Sequence, residues 1–201
     1  HDDRVYIAAS DELFVYTSAF QLIGSYRNPY LKHCHEICVH ERHLFLTSTG
    51  FDSVLAFDLE QEKFSWGLYV KTDGTRFSPV RFDPNGDDGP LMLNKLHLNN
   101  IFCDDGGMYI SGMRTKALLN YSGKAIGVLA TLPDGVHNAR PFKNGVLFND
   151  TRSNVVRFVT SETQQAFPVP RYSLEKLTHK NLDDTRIARQ GFGRGLCIVS
   201  D

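Results

Sequence analysis

One pattern recurs four times along the chain and restricts its fold more than any other feature. An apolar run ends in small, polar or hydroxyl residues, a polar turn follows, and a second apolar run begins. The first copy is Val5-Tyr6-Ile7-Ala8-Ala9-Ser10, then Leu13-Phe14-Val15-Tyr16. The second is Leu44-Phe45-Leu46-Thr47-Ser48-Thr49, then Val54-Leu55-Ala56-Phe57-Asp58. The third is Met108-Tyr109-Ile110-Ser111-Gly112, then Ala117-Leu118-Leu119-Asn120-Tyr121. The fourth is Val146-Leu147-Phe148-Asn149-Asp150-Thr151, then Val155-Val156-Arg157-Phe158-Val159. Each copy reads as two strands joined by a polar turn.

A third strand is expected after each pair, over Phe20 to Tyr26, Lys63 to Leu68, Ala125 to Ala130 and Ala166 to Val169. Pro168 and Pro170 confine the last of these to a sheet edge, because proline donates nothing to a ladder. A fourth strand precedes three of the copies: Glu36-Ile37-Cys38-Val39, Asn100-Ile101-Phe102-Cys103 and Ala139-Arg140-Pro141-Phe142. The first copy has none before it. Gly195-Leu196-Cys197-Ile198-Val199-Ser200-Asp201 has that character at the other end of the chain, and is expected to complete the first set and hide its edge.

Four strands repeating about every forty residues are the signature of a β-propeller blade. The expected fold is therefore all-β, one propeller domain over residues 1–201 of about four to six blades, or a piece of a longer propeller. Residues 72–95 break the period. Their Asp83-Pro84-Asn85-Gly86-Asp87-Asp88-Gly89-Pro90 cluster predicts a loop insertion. The charged stretch from Leu174 to Gln190 also breaks it and is expected to hold one helical turn.

Composition narrows the partners. With 41% hydrophobic and 22% charged residues the chain is globular in character, and its net charge of −1 offers no basic stripe for a nucleic-acid backbone. No apolar stretch reaches the roughly 18 residues of a membrane span, and His1-Asp2-Asp3-Arg4 does not resemble a signal peptide. Cys34, Cys38, Cys103 and Cys197 contain no CxxC pair, so a zinc ribbon is not expected. Most sit at apolar strand positions, as buried free thiols suited to a reducing, cytoplasmic compartment.

Polar residues gather where the innermost strands begin: Cys34-His35-Glu36-Ile37, Leu96-His97-Leu98-Asn99-Asn100-Ile101, Val136-His137-Asn138-Ala139-Arg140-Pro141 and Phe192-Gly193-Arg194-Gly195-Leu196. His35 and His97 are 62 residues apart, a gap lengthened by the insertion, and His97 and His137 are 40 apart. The three histidines thus recur at related blade positions. Aligning the strands that follow puts His35 level with Asn99 and Arg194, with His97 two residues earlier and on the same strand face.

Three converging imidazoles suit a divalent ion (zinc, manganese, iron or copper) with a position left for water or substrate. In a second use His137 is a general acid or base near neutral pH, and Arg140 and Arg194 bind a carboxylate or phosphate. Asn99, Asn138, Glu36 and Asp150 complete the expected ligand contacts. In a third reading these residues are structural, joining blades through hydrogen bonds. Asp150 stands between facing the channel and capping its own turn. His33, His40 and His43 are expected at the surface, and Trp66 in packing.

The strings Leu96-His97-Leu98-Asn99-Asn100-Ile101 and His137-Asn138-Ala139-Arg140-Pro141, with Gly145-Val146-Leu147-Phe148-Asn149-Asp150-Thr151 after them, resemble a largely uncharacterised family of bacterial propellers. The resemblance covers roughly residues 32–201. A more distant likeness is to the gluconolactonase and senescence-marker propellers, in which an Asn-Gly-Leu strand supplies an Asn to a divalent cation beside a Glu and an Asp. Here the matching positions are Asn99 or Asn100, Glu36 and Asp150, without the Gly. That likeness implies a metal (calcium included) polarising the carbonyl of a lactone or ester.

Three functions follow as expectations. The first is a propeller binding a small polar or anionic ligand, with a metal held by His35, His97 and His137 as one form of it. The second is a metal-dependent hydrolase or lyase using Glu36, Asn99 and Asp150. The third is a non-catalytic scaffold whose 72–95 loop meets a protein partner or a second copy.

Overall fold

The fold was analysed in a computed structural model, which describes residues 1–171, 173, 175 and 191–199. The described residues form four antiparallel sheets. They divide into two compact units, His1–Asp134 and Gly135–Asp201. The helical turn expected within 174–190 lies outside the described residues apart from Glu175.

The first unit holds three sheets. Strands β1 (Arg4–Ala9), β2 (Glu12–Thr17) and β3 (Leu22–Arg27) pair in chain order. The second sheet adds β4 (Ile37–His40), β5 (His43–Ser48), β6 (Ser53–Asp58), β7 (Lys63–Thr72) and β8 (Phe77–Phe82). The third comprises β9 (Leu98–Asp104), β10 (Gly107–Gly112), β11 (Ala117–Tyr121) and β12 (Ile126–Thr131).

The middle sheet is covered on both faces, and its side chains alternate accordingly. Leu44 and Leu46 of β5 join Leu55 and Phe57 of β6 in a cluster with Leu13 of the first sheet. Val54, Leu68 and Val70 face the other way, against Leu98, Ile101, Ile110 and Leu119 of the third sheet, with Phe45 and Trp66 alongside. Because both faces are covered, all six residues of β6 are buried. Trp66 is a packing residue, as expected.

Strand β8 is the main departure from the expected insertion. β7 runs on to Thr72 and β8 returns along it, pairing Gly67 with Phe82. A Cβ on Gly67 would stand 2.4 Å from the Phe82 ring, so the aromatic ring lies over the bare backbone of its partner. Phe82 also meets Tyr30 at a centroid distance of 5.2 Å, edge to face. Pro79 is accommodated because β8 is an edge strand. The remainder of the insertion is irregular, fastened by Asn28 Nδ2 donating to the Pro84 carbonyl and by the Tyr30 hydroxyl accepting from Gly89 N–H.

The second unit is one sheet of β13 (His137–Phe142), β14 (Gly145–Asp150), β15 (Val155–Val159) and β16 (Gln164–Pro168), in that order. β16 is the edge strand its prolines require. Residues 192–199 form no strand, and among the described residues the first sheet keeps its three strands. Locally, the carbonyls of Gly193 and Gly195 accept from the Thr151 hydroxyl at 2.8 Å and from Asn149 Nδ2 at 3.1 Å. Among the described residues no helix is long and apolar enough to cross a membrane.

Candidate functional site

In the first unit the segment leading into β4 is fixed by buried hydroxyls. Thr47 Oγ1, fully buried, accepts from the backbone N–H of His35 at 3.1 Å and of Glu36 at 3.0 Å. Ser48 Oγ accepts from Lys32 N–H and donates to the Tyr30 carbonyl. Cys34 N–H reaches the Ser10 carbonyl at 2.8 Å. Burial pushes the Cys34 thiol up to about 12, which leaves it almost wholly protonated at neutral pH.

The segment leading into β9 is held by a carboxylate. Asp52 is 2% exposed and ends the short 3-10 turn after β5 with a left-handed φ of 48°. Its oxygens accept from the backbone N–H groups of Lys95 at 2.5 Å, Leu96 at 3.1 Å and His97 at 2.9 Å. Burial pushes this carboxyl up, and the N–H groups of Leu96, Lys95 and His97 pull against that shift. The Thr49 hydroxyl donates to the Leu98 carbonyl beside them.

These two anchored turns bring His35 and His97 together. Their ring centroids are 5.4 Å apart, tilted by 54°. His97 Nδ1 lies 3.0 Å from Asn94 Oδ1, an acceptor, so Nδ1 carries the proton and Nε2 the lone pair of the neutral ring. His35 is exposed and His97 half-buried. On the His35 side a cavity of about 240 Å³ is lined by His35, Glu36, Cys34, Ile37, Tyr6, Ile7 and Ala8. Asn99 and Asn100 follow His97 and are buried in β9.

Gly112 closes the turn from the β10 side. Its N–H meets Thr115 Oγ1, and the next two N–H groups meet the His97 and Leu96 carbonyls. A Cβ there would stand 2.6 Å from the His97 carbonyl oxygen and 2.7 Å from that of Leu96. Both neighbours are backbone and cannot rotate away. Gly112→Ala is expected to lower stability by about 2 kcal/mol, typical of overpacking. It should also shift the His97 ring resonances, which denaturant melts and histidine NMR would record.

In the second unit the residues expected at the site make a different arrangement. His137 is 3% exposed, with Nδ1 3.0 Å from Thr151 Oγ1. That hydroxyl spends its only proton on the Gly193 carbonyl, so His137 Nδ1 donates to it. The His137 ring meets Phe192 edge-on at 5.9 Å. Arg140 donates to Asn138 Oδ1, and the exposed Arg194 lies 5.1 Å over the Phe192 ring. Asp150 is held in its own turn, accepting from Arg157 Nε at 2.7 Å and Ser153 N–H at 3.2 Å.

Backbone geometry also sharpens the alignment of the histidines. The left-handed residue before each inner strand is His33 (φ 55°), His97 (φ 54°) and Gly135 (φ 80°). These three are level. The pairings of Cys38 with Phe45, Phe102 with Tyr109 and Arg140 with Leu147 then put His35, Asn99 and His137 level, with His97 two residues earlier. His33 is exposed as expected, whereas His40 and His43 are half-buried. Among the described residues no group of three or more His, Cys, Asp and Glu side chains is disposed to hold a metal ion. Asp52, Thr47 and Asn94, which place the His35–His97 pair, carried no motif. The one available signal was an Asp preceding a strand at the position Asn154 occupies in the fourth copy.

No family model matches the chain, and no curated protein does. Solved structures do match. The RRP9 WD40 repeats align with a TM-score of 0.52 at 12% identity, over 83% of this chain and 48% of that one. The virginiamycin B lyase of Staphylococcus aureus aligns with a TM-score of 0.51 at 11% identity, over 85% of this chain and 68% of that one. The chain therefore spans about half the length of the RRP9 structure. At such identities the likeness establishes the fold, which is that of the β-propellers.

Proposed function

We propose that the first unit binds a small anionic ligand at the His35–His97 pair. The observation that carries this reading is the approach of two imidazoles, 62 residues apart in sequence, to a centroid separation of 5.4 Å. Each stands on backbone fixed by a buried side chain, Thr47 for one and Asp52 for the other, which is how a preformed site is built. Imidazoles titrate near neutral pH, and as imidazolium ions they donate charge-assisted bonds to a carboxylate or phosphate. Arg114, which donates to the Asn94 carbonyl at 2.7 Å, adds a cation to the same turn. The adjoining cavity of about 240 Å³ suits a small molecule.

In a metal-assisted form of this reading, His35 and His97 are two ligands of a divalent ion and the bound anion or water supplies others. The hydrolase-like set of Glu36, Asn99 and Asp150 is less favoured, because the Asp150 carboxylate is engaged by Arg157 and Ser153. A protein-contact reading draws on a separate observation. Leu91, Met92 and Leu93 are 75%, 60% and 47% exposed, on the loop that leads to Asn94 and His97.

Titration with inorganic phosphate, followed through histidine ring resonances, tests the proposal, with elemental analysis of the purified protein alongside. Phosphate is expected to shift the His35 and His97 signals, and His97→Ala to weaken binding about tenfold or more, the worth of one hydrogen bond to a charged group. Stoichiometric zinc, manganese, iron, copper or calcium that is lost in His35→Ala/His97→Ala would favour the metal-assisted form. Ring signals indifferent to phosphate, in protein free of metal, would overturn the reading. Self-association lost in Leu91→Ser/Met92→Ser would then favour the contact surface.

A further inference from the structure

Away from the histidine pair, two cysteines 65 residues apart in sequence lie together where the second and third sheets meet. Cys38 is on β4 and Cys103 on β9, and these two strands pack against each other. Both belong to the cluster between the sheets, Cys103 at 8% exposure and Cys38 half-buried against it. Both are free thiols, and the Cys38 side chain is near enough to Cys103 to push its thiol up. A second cavity, of about 530 Å³, opens on Cys103 and is lined also by His40, Asp104, Asp105 and Tyr109. A small reagent can therefore reach Cys103.

We propose that Cys38 and Cys103 form a dithiol–disulfide couple that ties the second sheet to the third, with a low-molecular-weight disulfide as its oxidant. In the first step one cysteine loses its proton and attacks the external disulfide RSSR. A mixed disulfide forms and RS⁻ leaves with that proton. In the second step the other cysteine attacks the protein sulfur of the mixed disulfide. The Cys38–Cys103 bond forms and a second RS⁻ leaves with the second proton. The two protein thiols lose two electrons in all, and RSSR gains them to give two RSH. The neighbouring Cys38 thiol, together with burial, pushes the Cys103 thiol up. Exchange at neutral pH is therefore slow and quickens as pH rises.

The test uses the whole chain incubated with oxidised glutathione, then alkylated, digested and analysed by mass spectrometry. The expected product is one internal Cys38–Cys103 cross-link, while exposed Cys197 appears only alkylated or glutathionylated. A bond closing a loop of this length should raise Tm by about 10 °C, reversibly with dithiothreitol. Cys38→Ala and Cys103→Ala should each abolish that rise. Melts without oxidant show whether either variant has merely lost packing. Full alkylation of Cys38 and Cys103 after oxidation, or cross-links joining either to Cys34 or Cys197, would overturn the proposal. It is independent of any ligand at His35 and His97.

Discussion

Asp52→Ala is expected to remove roughly 3–4 kcal/mol of stability and to release the His97 turn. Three backbone N–H groups, of Lys95, Leu96 and His97, point at one carboxylate that is 2% exposed. Deleting the acceptor strands those donors, at about 1–3 kcal/mol for each one that water cannot reach. Lys95 is exposed and recovers most of its share, so the loss falls on Leu96 and His97. A left-handed φ of 48° adds about 1 kcal/mol against alanine. Asp52→Gly relieves the backbone and leaves the donors stranded. Asp52→Asn tolerates the backbone and keeps one acceptor oxygen. Urea melts should therefore order the variants wild type, Asn, Gly, Ala.

The same residue carries a pH signature. Burial raises the folded-state pKa of Asp52, so the folded protein holds that proton more tightly than the unfolded chain. Its contribution is full below the ordinary carboxylate pKa and declines as pH rises through the elevated one. Asp52→Asn should flatten that part of the stability profile. Equal melts for Asp52→Ala and wild type would refute the anchoring role.

The repeat, the strand pairs and the edge position of β16 were legible because they rest on local signals: alternation, polar turns and prolines. β8 was hidden for a physical reason. Its Phe77-Ser78-Pro79-Val80-Arg81-Phe82 run lies between two turn-rich clusters, and it becomes a strand only because β7 extends to Thr72 and Phe82 covers Gly67. The run from Gly195 onward had the apolar character of a strand, yet Asn149 and Thr151 hold the carbonyls at its start. The neighbourhood of His35 and His97 was readable by aligning the strands that follow them. What holds them was not, because Asp52 acts on residues 43 to 45 positions away, across an insertion.

The Asp150–Arg157 pair shows the same limit at shorter range, and it sets the other large expected effect. In the β14–β15 register Asp150 faces Val155 and Phe148 faces Arg157, so Asp150 and Arg157 are diagonal neighbours on one face. The Asp150 side chain is 6% exposed and that of Arg157 23%. Arg157→Met would leave a buried carboxylate held by Ser153 N–H without its cation. Removing one member of a buried pair costs about 3–5 kcal/mol; here the partly exposed Arg157 brings the expectation to roughly 3. Asp150→Asn/Arg157→Met should recover more than half of that, because no charge is then left buried.

The pH dependence separates this account from a simple packing loss. Burial alone would raise the Asp150 carboxyl, but Arg157 and the Ser153 contacts outweigh it and hold the pKa below the ordinary carboxylate value. The pair therefore contributes fully above that ordinary value and is lost as pH falls through the depressed one. The stability gap between Arg157→Met and the double variant should therefore close as pH falls and the Asp150 carboxyl takes up its proton, whereas a packing loss would leave the gap independent of pH. The effect should also reach His137, since Asn149, Asp150 and Thr151 are consecutive and the outer two hold Gly195, Gly193 and the His137 ring. Broadened His137 resonances in Arg157→Met, restored in the double variant, would show that the buried charge pair is what keeps that ring in place.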